Sequence, residues 1–131
     1  MAATESYPDD LKYHREHDWA RVDGDEAVLG ITWFAQDALG ELVHYEAPQQ
    51  GATVAKDEPY GEVESVKAVS DIIAPLSGEV IEVNADVVNA PETVNEDPYG
   101  DGWLIRIRLS DPAEVDSLLD ADAYRQVVAE S

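Results

Sequence analysis

Gly61-Glu62-Val63-Glu64-Ser65-Val66-Lys67-Ala68-Val69-Ser70-Asp71-Ile72-Ile73-Ala74-Pro75-Leu76-Ser77-Gly78-Glu79-Val80 is the stretch whose reading decides the fold. β-Branched residues recur on both sides of Lys67, and Pro75 with Gly78 brackets a second reversal. The stretch therefore reads as strand, exposed turn, strand, turn, strand. Lys67 falls at the first tip. A lone lysine at a hairpin tip is ordinarily a solvated charge, but this chain has only two others, Lys12 and Lys56. A composition that avoids lysine has kept one at its most presented position.

Outward from this hairpin, glycine, proline and asparagine punctuate short apolar runs, which favours a β-rich domain over a helical bundle. Strands are expected at 19–22, 27–31, 42–45, 60–66, 70–74, 79–84 and 103–109. The last is the clearest, because Ile105, Ile107 and Leu109 alternate with Arg106 and Arg108 and so share one face. Asp23-Gly24-Asp25 signals a turn between two strands. A short helix over 32–39 has Thr32 as N-cap and Gly40 as C-terminal stop. Asp111-Pro112-Ala113-Glu114 supplies an N-cap, a first-turn proline and a capping-box acid. Val115, Leu118 and Leu119 then form an apolar stripe that Tyr124, Val127 and Val128 continue beyond Asp120, so the C-terminal region reads as helix docked on the sheet.

The chain of 131 residues carries 29 acids and 8 bases, a formal charge of −21, with 44% hydrophobic residues. One domain over 1–131 with an ordinary core is expected. Such a charge repels phosphate backbones and anionic lipid, so nucleic acid and membrane surfaces are poor partners. With no cysteine there is no disulfide, no thiolate metal site and no cysteine nucleophile. The opening MAATESYPDD lacks the basic and apolar regions of a secretory signal. The longest uncharged run, 27–36, is half of the roughly 20 residues a membrane helix needs. A soluble, cytoplasmic protein is expected, and the acid excess spread along the chain suggests adaptation to high salt, where carboxylates are screened.

Four familiar chemistries are a poor match. Asp97-Pro98-Tyr99-Gly100-Asp101-Gly102 starts like an EF-hand loop, but Tyr99 and Arg108 occupy ligand positions and the flanks read as strand. His14 and His17, beside Glu16 and Asp18, lack a third histidine nearby, since His44 is isolated; polar surface histidines are the plainer reading. There is no glycine-flanked serine elbow and no glycine-rich phosphate loop. The chain does not read as a self-contained enzyme.

The run Glu64-Ser65-Val66-Lys67-Ala68-Val69-Ser70-Asp71-Ile72, followed by Ala74-Pro75-Leu76-Ser77-Gly78-Glu79-Val80, closely resembles the lipoylation site of the glycine cleavage system H proteins. Four further blocks resemble that family in the right order. They are Leu11-Lys12-Tyr13 with His17-Asp18-Trp19, Gly30-Ile31-Thr32 with Ala35-Gln36 and Leu39-Gly40, Pro98-Tyr99-Gly100-Asp101-Gly102-Trp103, and Ser117-Leu118-Leu119-Asp120-Ala121 with Tyr124. Three features depart from it: Asp18 replaces a more usual Glu, Trp33-Phe34 replaces a polar pair, and the acid load is higher.

The resemblance implies a mainly β barrel-sandwich hybrid of two antiparallel sheets, with a lipoyl-bearing hairpin and flanking short helices, one of them C-terminal. It implies a carrier and not a catalyst, with lipoate bound covalently as lipoyl-lysine at Lys67 and Glu64, Ser65 and Ala68 read by a lipoate ligase or transferase. From ordinary bond lengths the arm reaches on the order of 14 Å from the lysine Cα. The implied partners are a pyridoxal-phosphate glycine decarboxylase, a tetrahydrofolate-dependent aminomethyltransferase and a dihydrolipoyl dehydrogenase. The carrier would take an aminomethyl group from the first to the second and electrons to the third. Asp18, Ile31 and Asp71, with Glu16 as a weaker candidate, match the cargo cleft. A lipoyl relay to other enzymes would share Lys67 and the fold, whereas a biotin carrier would want methionines around the lysine, and the only methionine is Met1.

Overall fold

The computed structural model describes residues 3–131. Among the described residues nine strands form two antiparallel sheets. The larger takes β1 (Lys12–His14), β2 (Asp18–Asp23), β3 (Glu26–Ile31), β9 (Ile105–Leu109), β8 (Gly78–Val83) and β5 (Thr53–Val54), in that order. The smaller takes β4 (Leu42–Glu46), β6 (Pro59–Ser65) and β7 (Val69–Ile73). The helices are α1 (Trp33–Leu39), α2 (Ala85–Asn89), α3 (Thr93–Glu96), a 3-10 turn at Pro112–Ser117, and α4 (Ala121–Ala129). The expected class holds: mainly β, two antiparallel sheets and short helices that include a C-terminal one.

Alternation along the strands builds two cores. On one face of the larger sheet Ala20, Leu29, Ile105 and Ile107 meet Tyr45, Val63 and Ile72 of the smaller sheet. On its other face Tyr13 and Trp19 meet Tyr7, Ala121 and Tyr124, which docks α4 on the sheet. Tyr13 and Tyr124 stack with ring centroids 4.7 Å apart. Trp19 pairs in register with Gly30, and a Cβ at Gly30 would lie 2.5 Å from its indole. Only glycine leaves the ring that room. On β9 the arginines point outward, Arg106 bonding Glu82 and Arg108 pairing with Glu79 at 3.5 Å.

Several elements differ from the sequence expectation. β1, β5, α2 and α3 are additional, and Asn84, expected to end a strand, caps α2 by accepting from the Asp86 N–H. Trp103 and Leu104 lie ahead of β9. Residues 112–117 wind as a 3-10 helix, and the expected capping-box acid is engaged elsewhere: the Glu114 carboxylate accepts from the Ser77 N–H at 2.8 Å and the Ser77 hydroxyl at 2.9 Å.

Candidate functional site

The hairpin between β6 and β7 turns through Ser65, Val66, Lys67 and Ala68. The Ser65 N–H donates to the Ala68 carbonyl at 2.8 Å, and the Ser65 hydroxyl accepts from the N–H groups of Lys67 at 3.3 Å and Ala68 at 3.2 Å. Serine is suited to this, since its short hydroxyl can close a turn on its own backbone. Ser65 is buried, so it shapes the turn, while Glu64, Val66, Lys67 and Ala68 face solvent. Val66 is 85% exposed, which leaves the lysine on an unobstructed tip. Its stem passes the end of α1, where Gly40 holds φ +85° and a Cβ would meet Lys67 Cε at 3.8 Å.

At the other end of β7 lies a buried carboxyl. Asp18 is only 2% exposed, pairs in register with Ile31, and is faced by the Ile73 backbone N–H of the smaller sheet, which favours its charged form. Its buried Oδ2 has no partner at hydrogen-bond distance. Burial, and then the nearby Glu16 charge, push the Asp18 carboxyl well above the usual carboxylate range, against the pull of the Ile73 N–H. The structure thus brings Asp18 and buried Ile31 together. Asp71 stands exposed on β7, two residues before Ile73 and opposite Glu62, and Glu16 is exposed at the turn before β2.

Behind this site a relay of hydrogen bonds ties α4 to α1. His17 Nδ1 lies 2.7 Å from the Tyr124 hydroxyl, which lies 2.8 Å from the Thr32 hydroxyl. Thr32 caps α1 by accepting from the Ala35 N–H, and its own N–H donates to the His17 carbonyl at 3.1 Å. The surface reading of the histidines is corrected here. His17, with φ +75°, packs its ring on Phe34 at 4.5 Å, and burial lowers its pKa. His14 is half-buried and lies 2.6 Å from the Asp57 carboxylate. The Trp33-Phe34 departure also finds its partners, Phe34 under His17 and Trp33 Nε1 donating to the Ala3 carbonyl at 2.9 Å.

Sequence reasoning did not find Ile73 or the His17–Tyr124–Thr32 relay. Ile73 acts through its backbone, which no side-chain pattern shows.

The glycine cleavage H-protein family model matches residues 11–131. The chain belongs to this family. The glycine cleavage system H protein of Symbiobacterium thermophilum is 54% identical over 117 residues, covering 89% of this chain and 91% of that one. That of Brevibacillus brevis is 52% identical over 124 residues, covering 95% and 98%. A crystal structure of a glycine cleavage system H protein from Mycobacterium marinum superposes with a TM-score of 0.86 at 41% identity, covering 93% and 98%. As an H protein the chain is a lipoyl carrier and not an enzyme, with lipoate held covalently on a lysine.

Proposed function

We propose that residues 1–131 act as one lipoyl-carrier domain, with Lys67 as the attachment residue and Asp18, Ile31 and Asp71, rimmed by Glu16, as the cargo cleft. The observation that carries this reading is an exposed lysine tip at one end of β7 and, beside Ile73 at the other, a buried carboxyl whose Oδ2 has no partner. The five residues of β7 span about 14 Å at roughly 3.4 Å per step, the same order as the reach of a lipoyl-lysine. The residues present fit the group: the tip amine is accessible, and Asp18 offers an idle acceptor walled by Ile31.

When bound, lipoate supplies a disulfide that takes up a one-carbon amine and, later, electrons. The protein's own residues position and protect. The Ser65 turn holds Lys67 outward where a ligase and the partner enzymes can reach it. An ammonium group at the far end of β7 is met by Asp18, whose ionised form makes a charge-assisted hydrogen bond, while Ile31 excludes water. Asp71, outside the core, adds charge at the entrance. Glu64 and Ala68, exposed beside Lys67, are in place for a ligase or transferase to read. The partners are the pyridoxal-phosphate decarboxylase, the tetrahydrofolate-dependent aminomethyltransferase and the dihydrolipoyl dehydrogenase of the glycine cleavage system. No helix among the described residues is long and apolar enough to cross a membrane. The cytoplasm is the compartment this reading assigns, and the acid load supports a fold suited to high salt.

Peptide mapping of carrier from its native host tests the attachment: lipoate appears on the peptide containing Lys67, and Lys67→Arg abolishes it. Lipoate on Lys12 or Lys56 would refute the assignment. For the cleft, carrier loaded by the decarboxylase is freed of that enzyme and formaldehyde release is followed. Loss of a charge-assisted hydrogen bond of about 1.5–3 kcal/mol speeds release on the order of 10–100-fold in Asp18→Asn or Asp71→Asn. Parent rates in both variants would remove the two carboxyls from the cleft.

A further inference from the structure

Among the described residues three buried side-chain polar atoms have no hydrogen-bond partner: Asp18 Oδ2, the Tyr60 hydroxyl and Arg106 Nε. Arg106 is already bonded through another nitrogen to Glu82 and faces Glu26, so its idle N–H belongs to a satisfied ion-pair group. The other two have no such explanation. Buried polar groups are paired in native structures with few exceptions, and two orphans in one place call for a shared partner.

The strand register fixes where Tyr60 sits, and the Ile73 backbone links that place to Asp18. β6 and β7 pair Pro59 with Ile73 and then Gly61 with Ile72, so Tyr60 is the extra residue of a bulge opposite the Ile72–Ile73 step. A bulge re-aims a side chain, and this one turns Tyr60 into the core, where it is 8% exposed. The same step supplies the Ile73 N–H that faces the Asp18 carboxyl. Pro59, opposite Ile73, has no N–H of its own. The Asp18 charge is in turn felt at the Tyr60 hydroxyl.

We propose that Tyr60 is a positioning residue for Asp18: through one internal water its hydroxyl hydrogen-bonds Asp18 Oδ2 and holds that carboxyl as the acceptor of the cleft. The proposal rests on the cleft reading of Asp18. A water between two polar partners in a buried polar site is an ordinary structural element. The donor makes the ionised form of Asp18 available to a cationic cargo in spite of burial, since a hydrogen bond to a carboxylate favours its charged state. The other groups facing the pair are Glu16 from the turn before β2, Tyr124 from α4 and Tyr45 from β4, none of them a cation.

The test uses the carrier without lipoate and follows the Asp18 carboxyl carbon by NMR as pH is varied. Tyr60→Phe, which keeps the ring, raises the Asp18 midpoint by about one pH unit, a tenfold gain in proton affinity. Tyr45→Phe is the control, because that hydroxyl donates to the Leu104 carbonyl at 3.4 Å, and it leaves the midpoint unchanged. An unchanged or lower midpoint in Tyr60→Phe overturns the proposal, as does an equal rise in Tyr45→Phe. Both readouts are taken on unloaded protein, so they stand apart from the formaldehyde assay. A raised midpoint with parent leakage in Asp18→Asn would keep the Tyr60 contact and remove Asp18 from the cleft.

Discussion

Replacing Asp18 by Asn changes how stability depends on pH, and the size of the change follows from burial. Asp18 is 2% exposed, is faced by one backbone N–H, and has Glu16 as the nearby charge. Its folded midpoint therefore lies above that of an unfolded aspartate, about 3.9. Folding takes up a proton wherever pH lies between the two values. The sign is thus opposite to that of a salt-bridged acid: the favourable contribution is complete below about pH 3.9 and is lost as pH rises through the folded midpoint. Each pH unit in that window costs about 1.4 kcal/mol. Asparagine cannot titrate, so the stability difference between parent and Asp18→Asn shifts toward the variant at that slope and then levels off, the plateau marking the folded midpoint. Urea unfolding of both lipoate-free proteins from pH 4 to 8, at constant high salt, measures it, and the remaining acids cancel in the difference. A flat difference across the range would mean that Asp18 titrates as in the unfolded chain, and the account of its burial would fail.

Ser65→Ala removes the acceptor for two turn N–H groups and lowers stability by on the order of 1 kcal/mol, with slower lipoate attachment in a ligase assay read by intact mass; unchanged attachment would show that the turn is held without it. Gly30→Ala drives a methyl into the Trp19 indole at 2.5 Å and costs about 1–3 kcal/mol in urea unfolding, and a neutral result would show that the ring has room to move. With 21 excess negative charges, the melting temperature rises between about 0.01 M and 1 M salt, as the Debye length falls from roughly 30 Å to 3 Å. Equal melting temperatures would leave the acid load without a role in salt tolerance.

What could be read from the sequence was whatever repeats or punctuates. The alternation of Ile105, Ile107 and Leu109 placed β9, Gly24 and the Lys67 tip placed two hairpins, and Thr32 with Gly40 bounded α1. The five-residue α2 and four-residue α3 are too short to show a helical period, and Val87 and Val88 argue for strand on propensity. Glu114 looked like a capping acid because its better partner, Ser77, lies 37 residues away. In the site, Lys67 and its turn were legible because they are local. The burial of Asp18 was not, since it depends on the register of a second sheet. Asp71 and Glu16 look no different from Asp18 in sequence, and only the folded chain separates two solvated acids from a buried one.

The two halves of the carrier differ in the order in which a folding chain can assemble them. The lysine turn closes on contacts three residues apart, whereas the relay that anchors α1 joins Tyr124 to Thr32 and His17 across 92 and 107 residues. Closing such loops costs more entropy and comes later. Tyr124 also follows Lys67 by 57 residues, so it is made well after the lysine turn. A nascent chain thus completes the Lys67 turn before the wall behind Asp18 is anchored; with Lys67 as the proposed attachment residue, a ligase that reads only the turn meets its substrate first, and the proposed cleft waits for the C-terminal helix to dock.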